Sequence, residues 1–306
     1  MKEILRIGTR GSPLALWQAN EVKWRLERAG HAAEIVTVRT TGDKRPNISL
    51  ASIGGKGLFI KELEESLERG AIDLAVHSLK DVPSIVSEQF VLAAFLERAD
   101  PRDAWVHIDR KPIAGMPAGA VIGTSAPRRR AQLAALFPHL RTEDIRGNVD
   151  SRIRKAREGQ YDGLVLAAAG LTRLGRTGEI TSHFSIDEML PAAGQGIVAI
   201  ECLASNERAK LAARTINHQR SELAAINERA VLQKFGTKLD CFSAVAVYCD
   251  FGVRWPQPPL SLVEAATSTT IKSIVIHAFV AGIRAQGPDV DSVYQQLIAQ
   301  GAEKLL

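Results

Sequence analysis

The chain has 306 residues, 45% hydrophobic and 24% charged, which excludes a disordered protein and calls for two or three domains. No apolar run is long enough to cross a bilayer, and Met1-Lys2-Glu3-Ile4 leads straight into a strand-like segment without a charged-then-apolar leader, so the expectation is a cytoplasmic protein with no membrane partner. Cys202, Cys241 and Cys249 are too few and too far apart for a disulfide framework or a zinc site, so no metal is expected; the net charge of +5 and pI near 9.2 leave nucleic acid, acidic lipid or a small polyanion as partners.

Ile4 to Thr9 reads as a strand and Pro13 to Ala29 as a helix, with Leu16, Ala19, Val22, Leu26 and Ala29 at helical spacing. Ala33 to Arg39 alternates as a strand, Leu58 to Arg69 has helical spacing, and Ile72 to His77 is a buried-strand run. A second series starts near Asp100-Pro101, with strands at Ala104–Ile108, Val121–Gly123 and Gly163–Ala167 and helices at Pro127–Leu136 and Val149–Glu158. Strand–helix alternation of this kind implies an α/β fold with mainly parallel sheets. A charged helix ending near Lys234 opens a third segment, with strands at Ser243–Tyr248 and Lys272–Phe279, a loop at Trp255-Pro256-Gln257-Pro258-Pro259, and a helix from Val290 onward.

One junction occurs twice. Ile7-Gly8-Thr9-Arg10-Gly11-Ser12-Pro13 opens the first helix, and Ile122-Gly123-Thr124-Ser125-Ala126-Pro127 opens a later one. Each ends a strand in Gly, offers a hydroxyl for capping and puts Pro near the first helical position. Such helix ends direct unpaired N–H groups at an anion, or are simply good junction chemistry. Arginines gather nearby: Arg10, Arg128 and Arg129 at the two junctions, Arg146 before an Asn148 placed to cap the helix carrying Arg152, and Arg173 beyond the run Ala167-Ala168-Ala169. Their planar forks suit a ligand with many acid groups, although any one of them alone reads as surface charge.

His77-Ser78-Leu79-Lys80-Asp81-Val82-Pro83 follows a buried strand, where an α/β sheet meets its ligand. Lys80 there can neutralise an acid and Asp81 can stabilise a cation, or the pair is only a turn before Pro83. Gly54-Gly55-Lys56-Gly57 lacks Walker spacing and, with Thr41-Gly42-Asp43, reads as a loop over a cleft.

Several stretches resemble porphobilinogen deaminases, in family order over roughly the first two thirds of the chain. They are Thr9-Arg10-Gly11-Ser12-Pro13-Leu14-Ala15-Leu16-Trp17-Gln18-Ala19, Lys56-Gly57-Leu58-Phe59, Ala75 to Pro83, Arg146-Gly147-Asn148-Val149-Asp150-Ser151-Arg152, Leu166 to Gly175, and Gly194-Gln195-Gly196. The resemblance implies two periplasmic-binding-protein-like lobes plus a small C-terminal α/β domain: lobe 1 at 1–98 and 197–217, lobe 2 at 99–196, and the third domain at 218–306. It implies a monomer acting on porphobilinogen, with a dipyrromethane cofactor held by a thioether to cysteine. It assigns catalysis to Asp81, and acetate and propionate binding to Arg10, Ser12, Lys80, Arg128, Arg129, Arg146, Arg152 and Arg173, with Ser78, Thr124 and Ser125 as secondary contacts.

The cysteine motif departs from the family. Glu228-Arg229-Ala230 begins it normally, but Phe235-Gly236-Thr237-Lys238-Leu239-Asp240-Cys241-Phe242 carries a short insertion and lacks the glycine pair and the Pro. Cys241, between a helix and the next strand, is the expected attachment site; Cys202 falls in a buried strand and Cys249 ends a later one. An altered or inactive deaminase stays open on this departure. A two-lobed solute-binding protein shares the architecture but not the combination of Lys80, Asp81 and Cys241. A nucleic-acid binder, suggested by Arg128-Arg129-Arg130, is opposed by 5% aromatic residues and no reading motif.

Overall fold

A computed structural model describes residues 3–39, 60–235, 245–250, 275–280 and 283–302. The strands sort into three sheets. The first contains β1 (Leu5–Thr9), β2 (Ala33–Thr37), β3 (Leu74–Ser78), β4 (Phe90–Phe95) and β10 (Val198–Leu203), ordered β2-β1-β3-β10-β4. The second contains β5 (Asp103–Val106), β6 (Val121–Gly123), β7 (Arg141–Glu143), β8 (Gly163–Ala167) and β9 (Ser182–His183), ordered β7-β6-β8-β5-β9. The two orders are equivalent, so the chain builds the same lobe twice.

In each lobe four strands point one way and one runs against them. β1 is parallel to β2 and β3, while β10 is antiparallel to β3 and β4. Likewise β6 is parallel to β7 and β8, while β5 is antiparallel to β8 and β9. The parallel reading of the sequence therefore holds for strand direction, with one reversed strand per sheet that periodicity does not reveal. Connectivity supplies the reason: β5 and β10 are the first strands made after the chain crosses between lobes, through 96–102 and 184–197. Each crossing enters at the end of the sheet where the parallel strands finish, so the entering strand runs back.

Around these sheets lie α1 (Pro13–Arg28), α2 (Lys61–Glu68), α3 (Pro127–Leu136), α4 (Val149–Arg157), α5 (Ala168–Arg173), α6 (Glu207–Arg214), α7 (Gln219–Phe235) and α8 (Val290–Ala299). α1 buries Gln18, Ala19, Val22 and Leu26, one face of a 3.6-residue period; Leu16 is only half-buried and Ala29 is exposed. It stops at Gly30, whose φ of 86° lets the His31 and Gly30 N–H groups donate back to the Leu26 and Glu27 carbonyls. Apolar contacts fill both faces of each lobe: Leu5, Ile7, Leu26 and Ile200 on one side of the first sheet, Leu63, Leu67 and Ile72 on the other. The third sheet, β11 (Val245–Asp250), β12 (Val275–Val280) and β13 (Ile283–Gly287), is antiparallel. A further cluster joins it to lobe 1 through Leu79, Ala199, Ala225, Ile276 and Val293. No described helix is long and apolar enough to cross a membrane.

The loop expected over 42–57, the start of the helix expected from Leu58, the Pro-rich stretch at 255–259 and Cys241 lie outside the described residues. The helix N-terminus at the second junction differs from expectation: Ala126 takes the N-cap position of α3 with no side-chain cap. Thr124 is buried and its Oγ1 lies 3.4 Å from the Ala126 N–H, too long and too early in the turn to replace a cap.

The second lobe depends on a close approach at Gly163, where a β-carbon would fall 2.0 Å from Cη2 of the fully buried Trp105. Gly163→Ala is expected to destabilise the protein by about 1–3 kcal/mol through overpacking. A denaturant midpoint equal to that of the unaltered protein would contradict this packing.

Candidate active site

Both lobes and the second crossing segment, through Gly194, Gly196 and Ile197, face one cavity of about 870 Å³. Its first wall is built by the ends of β1 and β3. Beyond β1 the backbone turns through Arg10 and Gly11, and Ser12 Oγ accepts the Ala15 N–H at 3.3 Å, capping α1 with Pro13 at the first helical position. Beyond β3 a single 3₁₀ turn, Leu79–Asp81, carries Lys80 and Asp81 to the wall. Leu79 anchors that turn by being fully buried, and Gln18 Nε2 donates to Ser78 Oγ at 2.8 Å.

The opposite wall comes from lobe 2. Gly147 at φ 111° reverses the chain so that Asn148 Oδ1 accepts the Ser151 N–H at 2.9 Å, capping α4, while Arg152 Nε donates to the Gly147 carbonyl at 2.8 Å. Arg173 closes the wall from the last turn of α5, donating Nη2 to the Gly196 carbonyl at 2.7 Å. Its Nε is buried without a hydrogen-bond partner.

Of the residues expected from sequence, Arg10, Ser12, Ser78, Lys80, Asp81, Arg129, Arg146, Arg152 and Arg173 line this cavity. Arg128, Thr124 and Ser125 do not. Arg128 is buried, with its guanidinium on both Asp103 oxygens, the Leu190 carbonyl and Gln195 Oε1. Ser125 Oγ is spent on Ile145, donating to its carbonyl at 2.6 Å and accepting its N–H at 3.1 Å. It thereby fixes the residue just before Arg146 without reaching the cavity.

Two residues that sequence reasoning missed organise the floor. Asp103, fully buried, accepts from Arg128 and also from Arg129 Nε and Nη2 at 3.1 and 2.7 Å. Gln195 Nε2 donates to Asp103 Oδ1 at 2.9 Å and to the Pro101 carbonyl at 2.7 Å. The signal for Gln195 was its place between Gly194 and Gly196, whose φ values of 73° and 88° require glycine. A β-carbon at Gly194 would strike Leu79 at 2.6 Å, and one at Gly196 the Ala99 carbonyl oxygen at 2.5 Å. Asp103 had no local signal at all.

Charge on the walls is mostly positive and poorly hydrated. Burial pushes the Asp103 carboxyl up, but Arg128 and Arg129 outweigh it and hold it well below the usual carboxylate range. Burial pushes Lys80 down to about 8; Asp81 opposes the fall and Arg129 and Arg128 add to it. Burial also brings Arg152 down to about 10, helped by Arg129 and Arg146, and Arg173 down to about 10 against the pull of Glu21. These cations stay charged at neutral pH but have lost hydration, so an anionic ligand that pairs with them offsets the cost of burying their charge. Asp81 is the exposed acid on this wall; Asp150, also on the cavity, is held by Arg176 at 2.8 Å. Among the described residues no cluster of His, Cys, Asp and Glu could hold a metal ion.

The family model described as "Porphobilinogen deaminase, dipyromethane cofactor binding domain" matches residues 5–211. A porphobilinogen deaminase of Acidithiobacillus ferrooxidans is 41% identical over 312 aligned positions, covering 100% of this chain and 98% of that one. That of Geobacter sulfurreducens is 49% identical over 230 positions, 74% of this chain and 72% of its own. The chloroplastic enzyme of Pisum sativum is 45% identical over 255 positions, 80% of this chain and 68% of its own. Among solved structures, the methionine-binding protein MetQ superposes with a TM-score of 0.46 at 12% identity, over 72% of this chain and 93% of that one, too loosely to bear on function.

Lys80 gives this site a pH dependence. Its charge is lost as pH rises through about 8, so affinity for a carboxylate-bearing ligand is expected to fall across that value. Lys80→Arg, which stays protonated, should carry binding to higher pH. Ligand titrations over a pH series test this, and wild-type affinity that is level across pH 8 would rule it out.

Proposed function

We propose a role for each wall of this cleft from one premise: the chain belongs to the porphobilinogen deaminase family. It is a transferase of tetrapyrrole biosynthesis that condenses four porphobilinogens, with loss of ammonia, into the linear tetrapyrrole hydroxymethylbilane, and dipyrromethane is the cofactor of its family.

The observation that carries the assignment of residues is the convergence of seven cationic side chains, the six assigned below and Arg39, with Asp81 on one cavity. Each pyrrole ring of substrate or cofactor bears an acetate and a propionate. A wall of Arg10, Lys80, Arg129, Arg146, Arg152 and Arg173 fits that donor set, and the buried, unpartnered Nε of Arg173 is a donor in want of an acceptor. In this reading the guanidinium forks and Lys80 hold the ring carboxylates, with Ser12 and Ser78 as further hydroxyl donors. Arg128 acts from behind by fixing Asp103, and Ser125 by fixing Ile145. Thr124 supports the turn that leads into α3. When bound, dipyrromethane supplies the nucleophilic pyrrole carbon that starts the chain.

Asp81 carries the chemistry. Departure of ammonia leaves the substrate electron-poor, and carbon–carbon bond formation places positive charge on the pyrroles. A carboxylate exposed to the cleft beside their N–H groups stabilises that charge and accepts or returns protons. The neighbouring cations hold the ring carboxylates away from Asp81, which keeps it for this task.

Cys241 is the proposed thioether attachment point. Residues 1–98 with 197–217, 99–196 and 218–306 are the proposed domains, and the protein acts as a cytoplasmic monomer with no nucleic-acid partner. Support for the attachment site comes from chain order: α7 runs to Phe235, and the cysteine lies between it and β11.

Intact-mass measurement of the native protein is expected to show a gain of two porphobilinogens less two ammonias, absent from Cys241→Ser. An adduct that persists on the serine variant would move the attachment elsewhere. Asp81→Ala is expected to lower kcat by about 10²–10⁴-fold with the fold and cofactor retained. Turnover near the wild-type rate, followed by ammonia release, would remove Asp81 from the chemical step.

A further inference from the structure

The Arg173 guanidinium is held from three directions. Its Nη2 donates to the Gly196 carbonyl on the returning crossing at 2.7 Å, its Cζ lies 5.4 Å from the ring centroid of Trp17, and Glu21, one turn further along α1, attracts it. Trp17 belongs to lobe 1 and Arg173 to lobe 2, so this contact crosses the seam between them. α1 and α5 meet there closely: a β-carbon at Gly170 would sit 3.8 Å from Leu14 Cδ2. Trp17 does not line the cavity and is 37% exposed, so neither core packing nor ligand contact accounts for a large aromatic ring at this position.

We propose that Trp17 is a positioning residue: its indole face braces the Arg173 guanidinium across the lobe seam and holds it at the cavity wall where the ligand binds. An arginine on its three-methylene stem has many rotamers, and a carbonyl at one Nη fixes only part of its orientation. An aromatic face fixes the plane. The inference rests on the reading of Arg173 as an anion contact. It adds that lobe 1 contributes to a binding group carried by lobe 2, so the arginine is correctly aimed only when the lobes are apposed. A brace of this kind acts on capture of the ligand and leaves the bond-making step at Asp81 alone.

The test compares Trp17→Leu, Trp17→Phe, Arg173→Leu and the Trp17→Leu/Arg173→Leu double variant as holoenzymes carrying the cofactor. KM and kcat are measured with porphobilinogen, and melting temperatures are taken alongside. Trp17→Leu is expected to raise KM about 3- to 20-fold, the range a cation–π contact supplies, with kcat within about twofold of wild type. Trp17→Phe should recover most of that loss, and the double variant should be no worse than Arg173→Leu alone. Wild-type KM in Trp17→Leu, when Arg173→Leu is impaired, overturns the brace and leaves the arginine's own role standing. Multiplying effects in the double variant overturn it too. Wild-type kinetics in Arg173→Leu remove the anion contact and the brace together. A melting temperature lowered in Trp17→Leu without any change in KM identifies the ring as structural and overturns the proposal.

Discussion

The site depends on one buried carboxylate. Asp103 is the first residue of the reversed strand β5, and it receives two guanidiniums from the start of α3 and the side-chain amide of Gln195 from the returning crossing. One acid therefore ties a strand, a helix and the second inter-lobe connection at a single point. Removing one partner from a buried pair typically costs about 3–5 kcal/mol, because the charge left behind has lost its water. Here the balance is deliberately uneven: two arginines share one aspartate, so the floor of the cleft keeps a net positive charge. Arg129 brings that excess to the cavity wall, and Arg128, facing away, holds the arrangement in place.

A second brace comes from α7, which leads toward the proposed attachment cysteine. Glu228 is fully buried, pairs with Arg98 on the first crossing at 2.6 Å and accepts the Gly194 N–H on the second at 2.7 Å. The next residue, Arg229, donates to the Val82, Pro83 and Ser84 carbonyls, immediately after Asp81. Adjacent side chains on one helix thus grip both crossings and the segment just after the turn that carries Asp81, the proposed catalytic carboxylate. The apolar cluster containing Leu79, Ala225 and Ile276 fills the space between them. The helix that opens the third segment is therefore mechanically continuous with the cleft.

What the sequence revealed follows the range of the forces involved. Elements fixed by neighbours in the chain were legible: α1 from its apolar period and Ser12-Pro13 start, α3 from Pro127, and β6 and β8 from short apolar runs. The Asn148 cap was read correctly for the same reason. β13, Ile283–Gly287, was not read, because the alternation in Ile-Arg-Ala-Gln-Gly is short and rests on one strong apolar residue, and the segment is fixed as a strand by pairing with β12. α5 was hidden because its Ala-rich start continues the run of β8. In the site, clustering of arginines at helix starts identified the cavity's charge, but not which fork faces it. Arg128 and Arg129 are neighbours in sequence and both bind Asp103; what sets Arg128 apart is its further contacts with the Leu190 carbonyl and Gln195 Oε1, more than 60 residues away. Long-range partners of this sort leave no local trace.

The insertion of β10 between β3 and β4 bears on how the polypeptide matures. Until residue 203 has left the ribosome, β4 has no neighbour in its sheet and β3 lacks one of its two. The strands of lobe 2 are complete 20 residues earlier, since all five are contiguous from 103 to 183. The half of the molecule translated first is thus the half that closes last, against the usual vectorial order. For that interval the nascent chain exposes strand edges that only its own later segment can cover, so a delay in elongation between 183 and 203 prolongs its exposure to chaperones and to aggregation.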